Sequence, residues 1–163
     1  MSHNNQPIAA AAVREFLVRH LAEVFSTMLT LPAVPLAEIC PGDAQERVSG
    51  SVGFVGETVS GSVYLHVPAP LAAQIAGAML GLPAEEVPGD ADVNDVLGEV
   101  TNMLAGGLKS WLCDAGAACA LTTPAIIRGT SFYIMPSEGV IKIEFGFASG
   151  EHKGMVETHI KFA

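Results

Sequence analysis

The segment VSGSVGFVGETVSGSVYLHV, residues 48–67, reads as two strands and a turn, and a fainter copy of it lies near the C-terminus. Residues 48–55 and 60–67 alternate apolar with small or polar side chains, as half-buried strands do, and Gly56-Glu57 joins them. The pattern Phe54-x6-Gly61 is followed by Val63, Leu65 and Val67. Phe147-x6-Gly154 is followed in the same way by Val156, Thr158 and Ile160, and His66 corresponds to His159. A helical pattern precedes each hairpin. Residues 9–31 place Phe16, Leu17, Leu21, Val24, Phe25 and Met28 on one side and end at Pro32 and Pro35. Pro68 and Pro70 open a short helix over residues 71–80, stopped by Gly81 and Pro83. A loop through Pro88, Gly89 and Asp90 leads to the longest helix, with Asp92 as its expected N-cap and Asp95 at its third position. Strands are expected over residues 125–128, 130–135, 140–147 and 154–162. Helices beside runs of antiparallel strands imply an α+β layer rather than a doubly wound parallel sheet. The reading is one domain, residues 1–163, with similar halves at about 9–81 and 92–163 that pack about a pseudo-two-fold axis.

Composition narrows the function classes. Half of the 163 residues are hydrophobic and 15% are charged, ample for a core. The apolar runs stop well short of the ~18 residues of a membrane span. Residues 1–7 are polar, with no basic start and no apolar stretch of a leader, so a cytoplasmic protein is expected. The formal net charge is −9, and the eight Lys and Arg are dispersed, which speaks against nucleic acid. Cys40, Cys113 and Cys119 lack CxxC spacing and read as buried thiols in a reduced compartment. The five histidines are scattered, so no metal site is expected, and His66 and His159 are expected to face solvent or an interface.

The longest helix carries the most pointed chemistry. Asp95, Glu99 and Asn102 are spaced i, i+4, i+7 and, at roughly 100° per residue, fall within an arc of about 60°. Val96, Leu97, Val100, Met103, Leu104, Leu108, Trp111 and Leu112 fall opposite and are expected in the core. Gly106 and then Lys109 continue the polar stripe. A carboxylate and an amide one turn apart, beside a step without a side chain, form a surface that something could dock against. Arg19, Glu23 and Ser26 repeat the spacing in the first half, but with no amide.

Asp95-x3-Glu99-x2-Asn102 on a helix, with Pro124 beyond it, resembles the signature of the CheC/CheX/FliY family of chemotaxis phosphatases. The Gly-rich strand pair from Gly53 to Val67 and the helix ending Ala78-Met79-Leu80-Gly81 fit as well. One site, in the second half only, looks like the CheX branch. The resemblance implies a CheC-like fold and an activity: hydrolysis of the aspartyl phosphate on a CheY-like response regulator. It also implies a homodimer that joins its sheets. Asn102 would orient the attacking water and Glu99 would anchor the active-site Lys of the receiver. Gly106 would admit the partner closely, and Lys109 could contact it. Asp95, counted with the partner-binding residues, would chiefly trim the helix N-terminus. Pro124 would shape a strand start. No cofactor of its own is implied; Mg²⁺ is expected on the partner receiver.

The residue types suit that chemistry. Phosphoryl transfer is largely positioning and electrostatics, so hydrolysis needs chiefly a water held in line with phosphorus. An amide can hold that water without the repulsion that a carboxylate would exert on the phosphoryl group. Two rivals stand beside this reading. One is a non-catalytic module that binds or sequesters the regulator. The other is a small-molecule enzyme using Asp95 and Glu99 as an acid/base pair.

Overall fold

The structure is a computed structural model that describes residues 8–39 and 45–163. Residues 1–7, with His3, and residues 40–44, with Cys40, lie outside them. In chain order the elements are α1 (Ala10–Val24, continued by a π-helical turn over Phe25–Leu29), β1 (Val34–Pro35), β2 (Arg47–Gly56), β3 (Val59–Pro68), α2 (Ala69–Leu80), α3 (Asp90–Asp114), β4 (Cys119–Leu121), β5 (Ala125–Gly129), β6 (Ile141–Ser149) and β7 (His152–Phe162). The strands form one sheet ordered β1-β6-β7-β3-β2-β4, with β5 also on β2, and every pairing is antiparallel.

Alternation decides which residues meet the helices. Val52, Phe54, Val63, Leu65, Phe145, Phe147, Val156 and Ile160 are buried in one core with Val13, Leu17 and Leu21 of α1 and with Val96, Leu97, Val100, Leu104 and Leu108 of α3. Gly50 makes the contact between α3 and β2 possible, since a Cβ there would stand 1.9 Å from Thr101 Oγ1. That hydroxyl is committed, donating to Leu97 O at 2.7 Å.

The two hairpins share a register. Phe54 pairs with Gly61 and Phe147 with Gly154, while Ser62 pairs with His159 and His66 with Met155. The shift that carries Phe54 to Phe147 turns each of these pairs into another, as a two-fold operation exchanging the hairpins requires. Close approaches follow the same rule. A Cβ on Gly61 would meet the Phe54 ring and His159 O; on Gly154 it would meet the Phe147 ring and His66 O.

Residues 130–135 depart from the expected strand. Ser131 turns at φ 54°, and the chain then runs as an extended strap across the sheet face opposite the helices. Phe132 lies on Arg47, whose guanidinium carbon is 4.0 Å from the ring centroid, and Arg47 donates to Phe132 O at 2.8 Å. Ile134, Met135, Ser137 and Val140 border a groove with Ser62, Tyr64 and His159. The strap overturns the solvent-facing expectation for two histidines: His66 is 2% exposed and His159 7%. Three of their four ring nitrogens are paired beneath it. Ser49 Oγ donates to His66 Nδ1 at 2.6 Å, His66 Nε2 donates to Glu157 Oε1 at 3.1 Å, and His159 Nε2 donates to Glu157 Oε2 at 2.5 Å.

This buried cluster ties stability to pH. Burial, the largest cause, holds His66 below its ordinary pKa. Burial alone would raise the Glu157 carboxyl, but hydrogen bonds from His66 and His159 bring it below the carboxylate range. The unfolded chain therefore binds more protons than the folded one as pH falls, first at His66 from about pH 6.5 downward and then at Glu157 from about pH 4.5. Both effects have the same sign. The melting temperature is expected to fall from pH 7.5 to pH 5, and to fall less steeply in His66→Gln, whose amide cannot titrate. Scanning calorimetry across that range is the check, and parallel slopes for the two chains would contradict it.

Candidate active site

The sequence around α3 dictates how the site is presented. Pro88 and Gly89 break the preceding chain, and Val93 N donates to Gly89 O at 3.2 Å, so the helix starts at Asp90 with Gly89 as N-cap. The expected N-cap, Asp92, instead sits in the first turn beside Asp90, where both carboxylates face the positive end of the helix dipole. Asp95 consequently falls in the second turn. From there the apolar stripe is pulled onto β2 and the other helices, which leaves the polar stripe outside.

Glu99 and Asp95 are exposed, and Asn102 is half-buried. Among the described residues, none of these three side chains makes a hydrogen bond or ion pair. Gly106 follows, half-buried, with no atom within 4 Å of where a Cβ would stand. Lys109, half-buried, comes next. The site is walled on two sides. On one, a Cβ at Gly98 would stand 3.5 Å from Pro124, which immediately precedes β5. The loop carrying Pro124 is held by Thr122, whose Oγ1 accepts from Gly53 N at 2.8 Å. On the other side runs α1. His20 Nε2 donates to Met103 O at 3.1 Å, and the His20 ring fills the space beside Gly107. Neither Thr122 nor His20 stood out in the sequence. The Gly106-Gly107 doublet was the signal for His20, since two glycines inside a helix ask for two separate reasons.

Gly107 has an internal reason and Gly106 has none. A mid-helix glycine costs about 1 kcal/mol relative to alanine. Gly106→Ala is therefore expected to raise stability by roughly 0.5–1 kcal/mol while weakening docking of a partner on the stripe. Chemical denaturation and a binding titration read the two effects, which should move in opposite directions.

The first-half stripe is built differently. Arg19, Glu23 and Ser26 are exposed on α1, but Ser26 lies in the π-helical turn, and Thr27 Oγ1 donates to Glu23 O at 2.7 Å. The turn breaks the α spacing shared with Glu99 and Asn102, and it leaves Met28 46% exposed where an apolar contact was expected. Trp111 is half-buried rather than enclosed, stacked on Phe16 with centroids 5.6 Å apart. Cys113 and Cys119, expected as buried thiols, are likewise half-buried, and Cys119 opens β4, a strand not among those expected. Among the described residues no group of three His, Cys, Asp or Glu side chains is arranged to hold a metal ion. No described helix is long and apolar enough to cross a membrane.

Residues 48–147 match the family described as chemotaxis phosphatase CheX. The chain belongs to the CheX family. Among solved structures it is similar to a chemotaxis protein CheX from Vibrio vulnificus, at 30% identity and a TM-score of 0.78, covering 95% of this chain and 100% of that one. A CheC-like superfamily protein from Shewanella sp. PV-4 is also 30% identical, with a TM-score of 0.76 and coverage of 91% and 97%. A CheX–CheY–BeF3–Mg²⁺ complex from Borrelia burgdorferi is 22% identical with a TM-score of 0.73, covering 90% and 96%, and shares the fold. A comparison with curated protein sequences returned no match. The α+β arrangement of this CheX-family chain, helices on an antiparallel sheet, is thus the CheC-like fold expected from its sequence.

Proposed function

We propose that this chain is a phosphatase that accelerates hydrolysis of the aspartyl phosphate of a CheY-like response regulator. The observation that carries the reading is the outward pair on α3: Glu99 and Asn102 stand one turn apart on an ordered helix, unengaged by the chain itself, beside the open step at Gly106. In this mechanism the receiver inserts its phosphorylated site against the stripe, bringing its own Mg²⁺ and Lys. Glu99 pairs with that Lys and sets the depth and angle of insertion. The carbonyl oxygen of Asn102 accepts one hydrogen of a water and leaves the water's lone pair aimed at phosphorus. A carboxylate in that position would oppose the phosphoryl charge, so the acid and the amide divide the work.

The assignment to this partner rests on family membership, and a CheX relative crystallised with CheY, BeF3 and Mg²⁺ supports it. The test is to phosphorylate a CheY-like receiver with a small phosphodonor, remove the donor, and follow loss of phosphate with and without the chain. Faster decay supports catalysis. Binding with an unchanged decay rate would make the chain a sequestering module instead. Acting on such a receiver places the protein in the cytoplasm. We extend the proposal to a homodimer, to be checked by light scattering against the 16.9 kDa chain mass. The extension includes a single domain whose halves, about 9–81 and 92–163, are diverged copies, supported by the shared hairpin registers.

A further inference from the structure

The stripe on α3 does not end at Lys109. One more step of four residues reaches Cys113, next to last in the helix. The chain then reverses tightly. Gly116 adopts φ 90°, Gly116 N donates to Cys113 O at 3.0 Å, and Ala117 N donates to Leu112 O at 2.8 Å. Ala117 is buried and pins the reversal, after which Cys119 opens β4 opposite Gly56 of β2. The reversal returns Cys119 to the side of Cys113, near enough for one thiol to influence the other. Both are half-buried, so each is open to a small reagent.

We propose that Cys113 and Cys119 form an oxidisable dithiol, a modification site at the far end of the docking stripe that peroxide closes into an intramolecular disulfide. One thiolate attacks hydrogen peroxide: its sulfur–oxygen bond forms, the oxygen–oxygen bond breaks, and hydroxide leaves and is protonated to water. The other thiol loses its proton and attacks the sulfenic sulfur. The sulfur–sulfur bond forms as the sulfur–oxygen bond breaks, releasing a second water. Two thiols and one peroxide thus give one disulfide and two waters. A dithiol reductant reverses the change by exchange, as suits a pair in a reducing compartment. The bond would tie the C-terminal turn of α3 to β4, just ahead of the loop that seats Pro124 beside Gly98. Burial, and after it the neighbouring Cys113, pushes the Cys119 thiol up, while the Lys109 ammonium pulls it back. Oxidation should accordingly quicken as pH rises.

The test uses the full chain carrying Cys40→Ser, which removes the third thiol, treated with one equivalent of hydrogen peroxide. Expected are loss of both titratable thiols, a mass lower by two hydrogens, monomer mobility on a non-reducing gel, and one linked peptide pair containing Cys113 and Cys119. Dithiothreitol should restore both thiols. In a second chain, Cys119→Ser in the same background, dimedone should trap a sulfenic acid at Cys113. Retained thiols, oxygen added at one cysteine without a cross-link, or a disulfide between chains would each overturn the proposal. Should a variant fold poorly, peptide mapping of the unmutated chain after the same treatment detects the same linked pair or its absence.

Discussion

Asn102→Ala is expected to reduce regulator dephosphorylation by at least about 100-fold while leaving affinity for the phosphorylated receiver within about threefold. The split follows from what an amide can do in that place. A water not held in line must find the phosphorus by chance, and losing its alignment is a loss in the rate term. Little of the docking surface goes with the side chain, since Glu99, Gly106 and Lys109 remain on the stripe. Glu99→Ala should show the opposite split, with KM raised about tenfold and kcat reduced less, because it removes an anchoring charge pair rather than the water's holder. Asn102→Asp sharpens the distinction: it keeps the shape and turns a neutral acceptor into a charge facing the phosphoryl group, so it should be at least as inactive as alanine. Single-turnover decay of the phosphorylated receiver, beside a binding titration with a non-hydrolysable mimic, measures both quantities. Equal loss of rate and affinity in Asn102→Ala would place that residue in binding instead.

Gly61→Ala should cost at least about 3 kcal/mol, a large share of the stability of an ordinary domain. The added Cβ would stand 2.0 Å from His159 O and 2.6 Å from the Phe54 ring. Neither neighbour can give way. The carbonyl belongs to the central β3–β7 ladder, and Phe54 is 1% exposed. For a chain of this length that cost corresponds to a fall in melting temperature of roughly 6–12 °C. Gly154→Ala, its counterpart, meets His66 O at the longer distance of 2.9 Å and chiefly the Phe147 ring at 2.5 Å, so it should be milder. Thermal unfolding of both variants checks the ranking; equal Tm values in the two variants and the parent would count against it.

Much of this was legible in the chain because the signals were local. The alternation over residues 48–67 and the prolines that open α2 lie within one window of sequence, as does the Asp95-Glu99-Asn102 spacing, and the structure places each in its expected kind of element. What sequence could not supply was long-range. Residues 130–135 alternate like a strand, but Ser131 turns the chain out of the sheet and Phe132 is claimed by Arg47. His66 and His159 look solvent-facing until that strap lies over them and Glu157 satisfies both. The three residues of β4 carry too little pattern to announce a strand that depends on its pairing with β2. The site stripe was readable because its spacing is local; of its walls only Pro124 was singled out, as part of the family signature, while His20 and Thr122 lie far from it in sequence and carry no pattern that joins them to it.

Where β3 meets β7, Tyr64 lies opposite Glu157, and the shift that carries Phe54 to Phe147 carries Tyr64 to Glu157. This is the one place where each half must face its own counterpart. Two first halves assembled in this way would oppose tyrosine to tyrosine and leave both histidines without an acceptor. Two second halves would oppose carboxylate to carboxylate at about 5 Å, a repulsive cross-strand pair. Only the mixed pairing gives both imidazoles one shared anion and gives both a common ring to lie against. In the proposed duplication the two halves are thus complementary at this crossing rather than interchangeable, each supplying what the other's histidine needs.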